Sequence, residues 1–275
     1  MDFALTEEQI MIQRMVREFA QKEIKPIARE LDAKTDPKDC IPWQLYKRAD
    51  ELGLRTMGIP VDLGGTGEVD YLTQLIVTEE LAAGHYDCTH LALSGQRLMR
   101  FNKEQRDEFL PQFLNDYRFI MATLRTEPNH GSDQFIMYND PKASYEVSIE
   151  TFAERKGDEY IINGTKQFAS NSGAAKLFIV CARINRTNPI MQSETYFLVP
   201  RDTPGVTVGK WMDKLGRRLL SNAEVSFEDV HIPARYLLGK EGGVWDEEFD
   251  LLPAGIVRAQ AGVIGVMRTC YEETL

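Results

Sequence analysis

The spacing of apolar residues changes character near Tyr117, and that change decides what the chain can fold into. Upstream of it Ile12, Val16, Phe19, Ile24, Ile27 and Leu31 recur at roughly helical spacing, so one face of a helix must be buried. Thr6-Glu7-Glu8-Gln9 opens that run as a capping box, the threonine hydroxyl and the glutamine side chain each satisfying a free first-turn N–H. Pro26 removes a backbone donor and crowds the preceding turn, so the helix kinks or splits there. Further helices are predicted over 42–53, 71–83, 89–101 and 103–114. Gly64-Gly65-Thr66-Gly67 lacks the Gly-Lys-Ser/Thr ending of a phosphate loop and reads as a turn between helices.

Beyond residue 118 the pattern is that of strands. Residues 145–152 alternate as a half-exposed strand does, and 176–182, 196–199 and 223–227 are apolar strands. Asn163-Gly164 between two β-like runs predicts a hairpin with a type I′ turn, and Pro204-Gly205 supplies another turn. Several antiparallel strands separated by turns imply a small barrel or sandwich. No Gly-x-Gly-x-x-Gly follows a strand, so a dinucleotide would not be held in the Rossmann manner. From about Trp245 a helix is predicted to the end, with an apolar face through Leu252, Ile256, Ala259, Val263, Val266 and Met267 that needs a covering surface. The fold class is therefore α+β and multidomain. It comprises an all-α domain over 1–117, a β domain over 118–238, and the start of a helical bundle over 239–275.

Candidate chemistry concentrates where the first strand ends. Residues 119–122 form a short apolar run, followed by Thr123-Leu124-Arg125-Thr126-Glu127-Pro128-Asn129-His130-Gly131-Ser132-Asp133. Pro128 cannot extend a central strand and Gly131 frees the backbone, so the chain leaves the sheet here. Such an exit exposes backbone N–H groups beside the Thr126 and Ser132 hydroxyls, a fit for a flat ligand rich in acceptors. On spacing alone an ordinary strand-to-loop exit satisfies the same pattern.

The segment Thr126-Glu127-Pro128-x-x-Gly131-Ser132-Asp133 resembles the flavin-binding signature of the acyl-CoA dehydrogenase family. Asn163-Gly164-Thr165-Lys166-Gln167-Phe168-Ala169-Ser170-Asn171 is similar to that family's second flavin segment. Phe227-Glu228-Asp229-Val230 with Ile232-Pro233 resembles the end of its middle domain. Arg17-Glu18-Phe19-Ala20 through Pro26, and Ile59-Pro60 through Gly67, follow its N-terminal pattern. The likeness runs over essentially the whole chain in the family's order. The segment 134–152, which holds the turn signal Tyr138-Asn139-Asp140-Pro141, is longer than its family counterpart and reads as a surface extension, with a flap over the ligand as the alternative.

The resemblance implies FAD as cofactor, with the backbone of Thr123, Leu124, Arg125 and Thr126 and the Thr126 hydroxyl along the ring edge. It further implies Phe168 over a ring face, backbone contacts from Ala169, and the Ser170 hydroxyl near the reactive nitrogen. Ser132 would touch both cofactor and the pantetheine arm of a CoA thioester, and Arg258 matches a family arginine beside the CoA-binding region. The implied reaction is α,β-dehydrogenation of an acyl-CoA thioester, with electrons passed to an electron-transfer flavoprotein or similar acceptor. The family also implies a homo- or hetero-oligomer, commonly a homotetramer. No catalytic base is assigned. Where some members carry the glutamate base directly before the matched arginine, this sequence has Val257, and Glu272 and Glu273 read as solvent-facing. Two expectations follow: a piece of a longer enzyme, or one component of a split assembly. The alternatives are a non-catalytic subunit binding flavin or CoA ester, and a flavin oxidase or monooxygenase on the same scaffold.

Composition narrows the partners. A net charge of -10 argues against binding nucleic acid or an anionic membrane, and no apolar run approaches the ~18 residues of a membrane span. Cys40, Cys88, Cys181 and Cys270 are far apart and fit no metal spacing. They read as reduced core thiols of a cytoplasmic protein.

Overall fold

The computed structural model describes residues 4–133 and 149–275. Helix α1 (Glu7–Phe19) starts in the predicted capping box, Thr6 accepting from the Gln9 N–H at 3.2 Å and donating its own N–H to the Gln9 side chain at 3.0 Å. A π-helical turn (Ala20–Ile24) then leads into α2 (Lys25–Asp32), with Pro26 in the first turn of α2. Proline has no N–H to give the preceding turn, and one wide turn absorbs the defect without ending the rod. Helix α3 (Trp43–Glu51) and helix α4 (Tyr71–Gly84) follow. Between Tyr86 and Arg100 the predicted helix is replaced by two 3₁₀ segments, Tyr86–Leu91 and Ser94–Arg100, separated by Leu93 at φ 60°. A leucine in the left-handed region cannot propagate an α-helix, so the apolar spacing there is met by tighter turns. Helix α5 (Lys103–Asn115) is capped by Asn102.

The strands are β1 (Met121–Leu124), β2 (Phe152–Lys156), β3 (Glu159–Lys166), β4 (Leu177–Arg183), β5 (Glu194–Pro200), β6 (Val206–Trp211), β7 (Ala223–Pro233) and β8 (Leu237–Leu238). They form one sheet in the order β6-β7-β3-β2-β4-β5-β8, with β1 beside β4. Pairing is antiparallel except along one edge of β4, where β1 runs parallel to Leu177–Val180 and β2 meets only Arg183. Asn163-Gly164 is not the hairpin turn. Strand β3 continues through it with a bulge opposite β7, and the turn falls at Gly157-Asp158 between β2 and β3. The bulge requires glycine: Gly164 stands at φ 147°, and a Cβ there would lie 2.5 Å from the Thr151 hydroxyl. The long final helix is α6 (Val244–Thr274). Residues 134–148, which include the Tyr138–Pro141 turn signal and the first half of the predicted 145–152 strand, lie outside the described residues.

By packing, the chain divides into two compact units. One gathers 1–97, 213–220 and 251–275; the other gathers 98–212 and 221–250. The cut therefore falls elsewhere than the change of sequence pattern. Helix α5 goes with the sheet, where Gln105 donates to the carbonyls of Arg235 and Leu237, both at 2.7 Å. In the helical unit, α4 is buried on most sides and carries Glu80 into the interior. Glu80 accepts from Arg17 of α1 (3.0 and 2.6 Å) and from Arg268 of α6 (3.2 and 2.6 Å). Close approach of α6 to α4 needs Gly265, whose added Cβ would sit 2.2 Å from the Glu79 carbonyl. The opposite side of α6 leaves Ile256, Val257, Val263, Ile264 and Met267 exposed. Among the described residues no helix is long and apolar enough to cross a membrane. Cys40, Cys88 and Cys181 are buried free thiols, whereas Cys270 is exposed on α6.

Burial raises the Glu80 carboxyl, but the two guanidiniums outweigh it and hold the group below its usual range. A depressed folded-state pKa gives stability that is present above the unfolded value and lost as pH falls through the folded one. Glu80→Gln should thus lower unfolding free energy at pH 7 by about 1–3 kcal/mol, since the freed arginines can partly rehydrate. Denaturant titrations should show this gap narrowing as pH drops below about 4, the ordinary glutamate range. A gap that does not change with pH would remove Glu80 from the role.

Candidate functional site

Two segments meet at the open edge of β1. Because β1 and β2 share one edge of β4 without continuing one another, a gap opens between the end of β1 and the end of β3. A pair of charges fills it. Lys166, the last residue of β3, donates from Nζ to Glu127 Oε1 at 2.7 Å and to the Arg125 carbonyl at 2.9 Å. The two side chains are 0% and 1% exposed. Glu127 also accepts the backbone N–H groups of Glu150 (2.5 Å) and Thr151 (3.0 Å). Burial pushes the Glu127 carboxyl up, and Lys166 with these donors pulls it further down, so it stays ionised. The Gln167 N–H then donates to the Thr126 carbonyl at 2.9 Å, so the two segments are joined backbone to backbone.

Next to this joint stands Phe168, at φ 61° and 57% exposed. A bulky residue in the left-handed region costs about 1–3 kcal/mol and persists only where its surroundings over-determine it. Here the Asn222 amide holds the Phe168 carbonyl at 2.6 Å. The chain turns again at Asn171, φ 65°, and Ser172 fastens the turn to Ala223 through 3.0 and 2.8 Å bonds. Ala169 is buried and Ser170 half-buried within this double turn. Gly173 lies flat against Trp211, where a Cβ would come within 3.0 Å of the indole.

The other residues named from sequence are distributed as follows. Leu124 is buried, and Thr123 and Thr126 are half-buried at the strand end. Arg125 turns its side chain into the sheet, with Nη1 on the Tyr196 hydroxyl and Nη2 on Glu194 (both 3.0 Å) and Trp245 stacked at 4.8 Å. Only its backbone is left for the β1 edge. Ser132 is exposed in a turn held by Asp133, which accepts the Gly131 N–H at 2.5 Å and pairs with His130 at 3.0 Å. Arg258 belongs to α6 and to the other compact unit. Glu127, Lys166 and Gln167 are the residues that sequence reasoning missed. The detectable signal was one lysine ending a run of β-forming residues, a position that normally favours an apolar side chain.

These features fit a planar, acceptor-rich group. The aromatic ring is presented to solvent by a strained backbone, and among the described residues β1 has a ladder neighbour on one side only. Among the described residues no cluster of His, Cys, Asp or Glu could hold a metal ion.

Comparison with known proteins agrees. The family profile "Acyl-CoA dehydrogenase, N-terminal domain" matches residues 6–116, and "Acyl-CoA dehydrogenase, middle domain" matches 122–230. The short-chain specific acyl-CoA dehydrogenase of Clostridium acetobutylicum is 32% identical over 281 residues, covering 99% of this chain and 69% of that protein. The mitochondrial short-chain specific enzyme of Rattus norvegicus is 32% identical over 275 residues, covering 98% and 62%. The structure of butyryl-CoA dehydrogenase from Megasphaera elsdenii superposes with a TM-score of 0.81 at 28% identity, covering 98% of this chain and 68% of that one. The chain belongs to the acyl-CoA dehydrogenase family, whose members are FAD-dependent flavoenzymes. It spans about two thirds of the length of these relatives, and less than two thirds of the rat enzyme.

If Lys166 and Glu127 brace this joint, Lys166→Met strands a buried carboxylate and should cost about 3–5 kcal/mol of stability. Adding Glu127→Gln should recover part of the loss, because the amide oxygen still accepts from Glu150 or Thr151. Urea melts of the two variants check this; a double variant no more stable than Lys166→Met would contradict it.

Proposed function

We propose that this chain binds FAD at the β1 edge and takes part in the α,β-dehydrogenation of an acyl-CoA thioester. The observation that carries it is the joint itself: the Thr126 backbone is bonded to Gln167, and the next residue is a solvent-facing Phe168 in a strained conformation. Thr123, Leu124, Arg125 and Thr126 would hold the ring edge through their backbone, with the Thr126 hydroxyl as a further donor. Phe168 would cover a ring face, Ala169 would supply backbone contacts, and the Ser170 hydroxyl would point to the reactive edge. Ser132 would serve both cofactor and thioester, and Arg258 would be a substrate-binding residue of α6. When bound, the flavin supplies the acceptor for a hydride from the β carbon. Donors fixed by the sheet stabilise negative charge at the ring edge without having to reorganise, which is worth more in a water-poor site than in bulk. The α proton needs a base within hydrogen-bond reach, and no residue of this chain is assigned that role. An electron-transfer flavoprotein or similar acceptor would reoxidise the enzyme, and assembly as an oligomer, commonly a homotetramer, completes the proposal.

One observation favours a second reading, a non-catalytic subunit that binds flavin or CoA ester. Val257 directly precedes Arg258, is 48% exposed, and offers no titratable group. The two differ in turnover. Purified homo-oligomer that reduces an artificial electron acceptor on adding acyl-CoA, with bleaching of its visible absorbance, excludes the non-catalytic reading. Oxygen consumption in its place would point to an oxidase.

Phe168→Ala combined with Ser170→Ala should weaken flavin binding roughly tenfold or more, the scale of losing a ring face and a directed hydrogen bond. Visible absorbance per protein after desalting measures it, and unchanged occupancy would refute the placement.

A further inference from the structure

The turn after β3 presents an aromatic ring to solvent, so neither burial nor an easy backbone geometry keeps Phe168 where it is. Its φ of 61° crowds the Cβ against the following carbonyl, and more than half of the residue is exposed. The chain before it is fixed. The Gln167 N–H donates to the Thr126 carbonyl at 2.9 Å, and the Gln167 amide to the Glu127 carbonyl at 3.4 Å. The chain after it is fixed too, with the Ala174 and Ala175 N–H groups both donating to the Asn171 carbonyl (3.0 and 2.9 Å). Between these anchors, the peptide joining Phe168 to Ala169 has one hydrogen bond among the described residues. Asn222 Nδ2 donates to the Phe168 carbonyl at 2.6 Å. Asn222 comes 54 residues later in the chain, outside both segments that resemble flavin signatures.

Asn222 is itself firmly placed. Its carbonyl accepts the Met212 N–H at 2.9 Å. On one side of it the Ser221 carbonyl accepts the Gly173 N–H at 3.3 Å, and on the other Ala223 exchanges bonds of 3.0 and 2.8 Å with the Ser172 hydroxyl. Three successive residues entering β7 are thus tied to the end of β6 and to the double turn. A short amide side chain on such a base has little rotamer freedom to lose when it bonds. The peptide it holds is planar and trans, so its carbonyl and its N–H point in opposite directions. Fixing the Phe168 carbonyl therefore aims the Ala169 N–H away from Asn222 and fixes the direction from which the Phe168 ring projects. Among the described residues neither the Ala169 nor the Ser170 N–H has a hydrogen-bond partner, although Ala169 is buried. One amide thus governs an exposed ring and the first of two unused donors.

We propose that Asn222 is a positioning residue of the flavin site, its amide locking the Phe168–Ala169 peptide so that ring and N–H are presented to the cofactor together. This rests on the function proposed above. Asn222 acts through Phe168 and Ala169 and needs no contact of its own with the cofactor. The role demands a donor at that point, because a carbonyl can only accept. Asn222→Asp keeps the size and shape of the side chain but sets an ionised acceptor against the Phe168 carbonyl. Asn222→Ala removes the bond and leaves the peptide free to turn.

The test compares full-length wild type, Asn222→Ala and Asn222→Asp labelled with fluorophenylalanine, the Phe168 resonance being the one that Phe168→Leu removes. Fluorine spectra of the flavin-free chains read the ring's surroundings, and titration with FAD followed by flavin fluorescence reads affinity. Both variants should shift or broaden the Phe168 resonance and leave the other phenylalanine resonances in place. FAD should bind Asn222→Ala roughly fivefold more weakly, the scale of one hydrogen bond, and Asn222→Asp no better than Asn222→Ala. A space-filling role predicts instead that Asn222→Asp binds FAD as wild type does, and that result overturns the proposal. So does an unmoved Phe168 resonance, or a moved one with unchanged FAD affinity. Loss of all the native resonances in both variants would make Asn222 a residue of general stability and overturn the proposal as well. Wild type that takes up no FAD removes the function proposed above, and the role of Asn222 toward a cofactor falls with it.

Discussion

A lysine and a carboxylate, both withdrawn from water, hold together the part of the sheet unit on which function depends. Lys166 and Glu127 occupy the gap left because β1 and β2 share an edge of β4. An unpaired charge there would be prohibitive, and a paired one is tolerable only with its remaining hydrogen bonds made. Those bonds go to the Arg125 carbonyl and to the N–H groups of Glu150 and Thr151. One ion pair thus fixes three stretches of chain. The exit of β1, the start of the double turn after β3 and the entry to β2 take their positions from it.

Strain is concentrated where it orients a side chain. Phe168, Arg217 and Leu93 all occupy the left-handed region, and none is a glycine or an asparagine that enters it readily. Phe168 follows the buried joint and faces solvent. Arg217 reaches a buried carboxylate, and Leu93 separates two 3₁₀ segments. Neighbouring bonds hold two of these backbones, Asn222 on the Phe168 carbonyl and Leu54 on the Leu93 N–H, and Asp87 holds the Arg217 guanidinium. The helical unit is braced in the same manner by Glu80, which ties α1 and α6 to α4 through two arginines.

Much of this was legible in the residues. The capping box at Thr6, the split at Pro26, the succession of helices, strands and a final helix, and the family signatures around Thr126 and Phe168 are local patterns, each contained within a few turns or one strand. The errors are equally local in origin. Asn163-Gly164 suits a tight turn and a bulge equally, and Thr151 lying over Gly164 decides between them. The apolar spacing over 89–101 suits an α-helix, and a left-handed Leu93 overrides it. Glu127 and Lys166 looked like ordinary polar residues beside a turn and a strand end.

The sequence by itself determined the order of the elements, the family and the two segments of the candidate site, since capping, periodicity and signature spacing act between neighbours along the chain. Only the tertiary structure decided that Glu127 and Lys166 are partners, that Arg125 turns away from β1, and that Asn222 holds the Phe168 carbonyl. Those contacts join residues tens of positions apart. Their strength comes from exclusion of water, which exists only once the surrounding elements have packed.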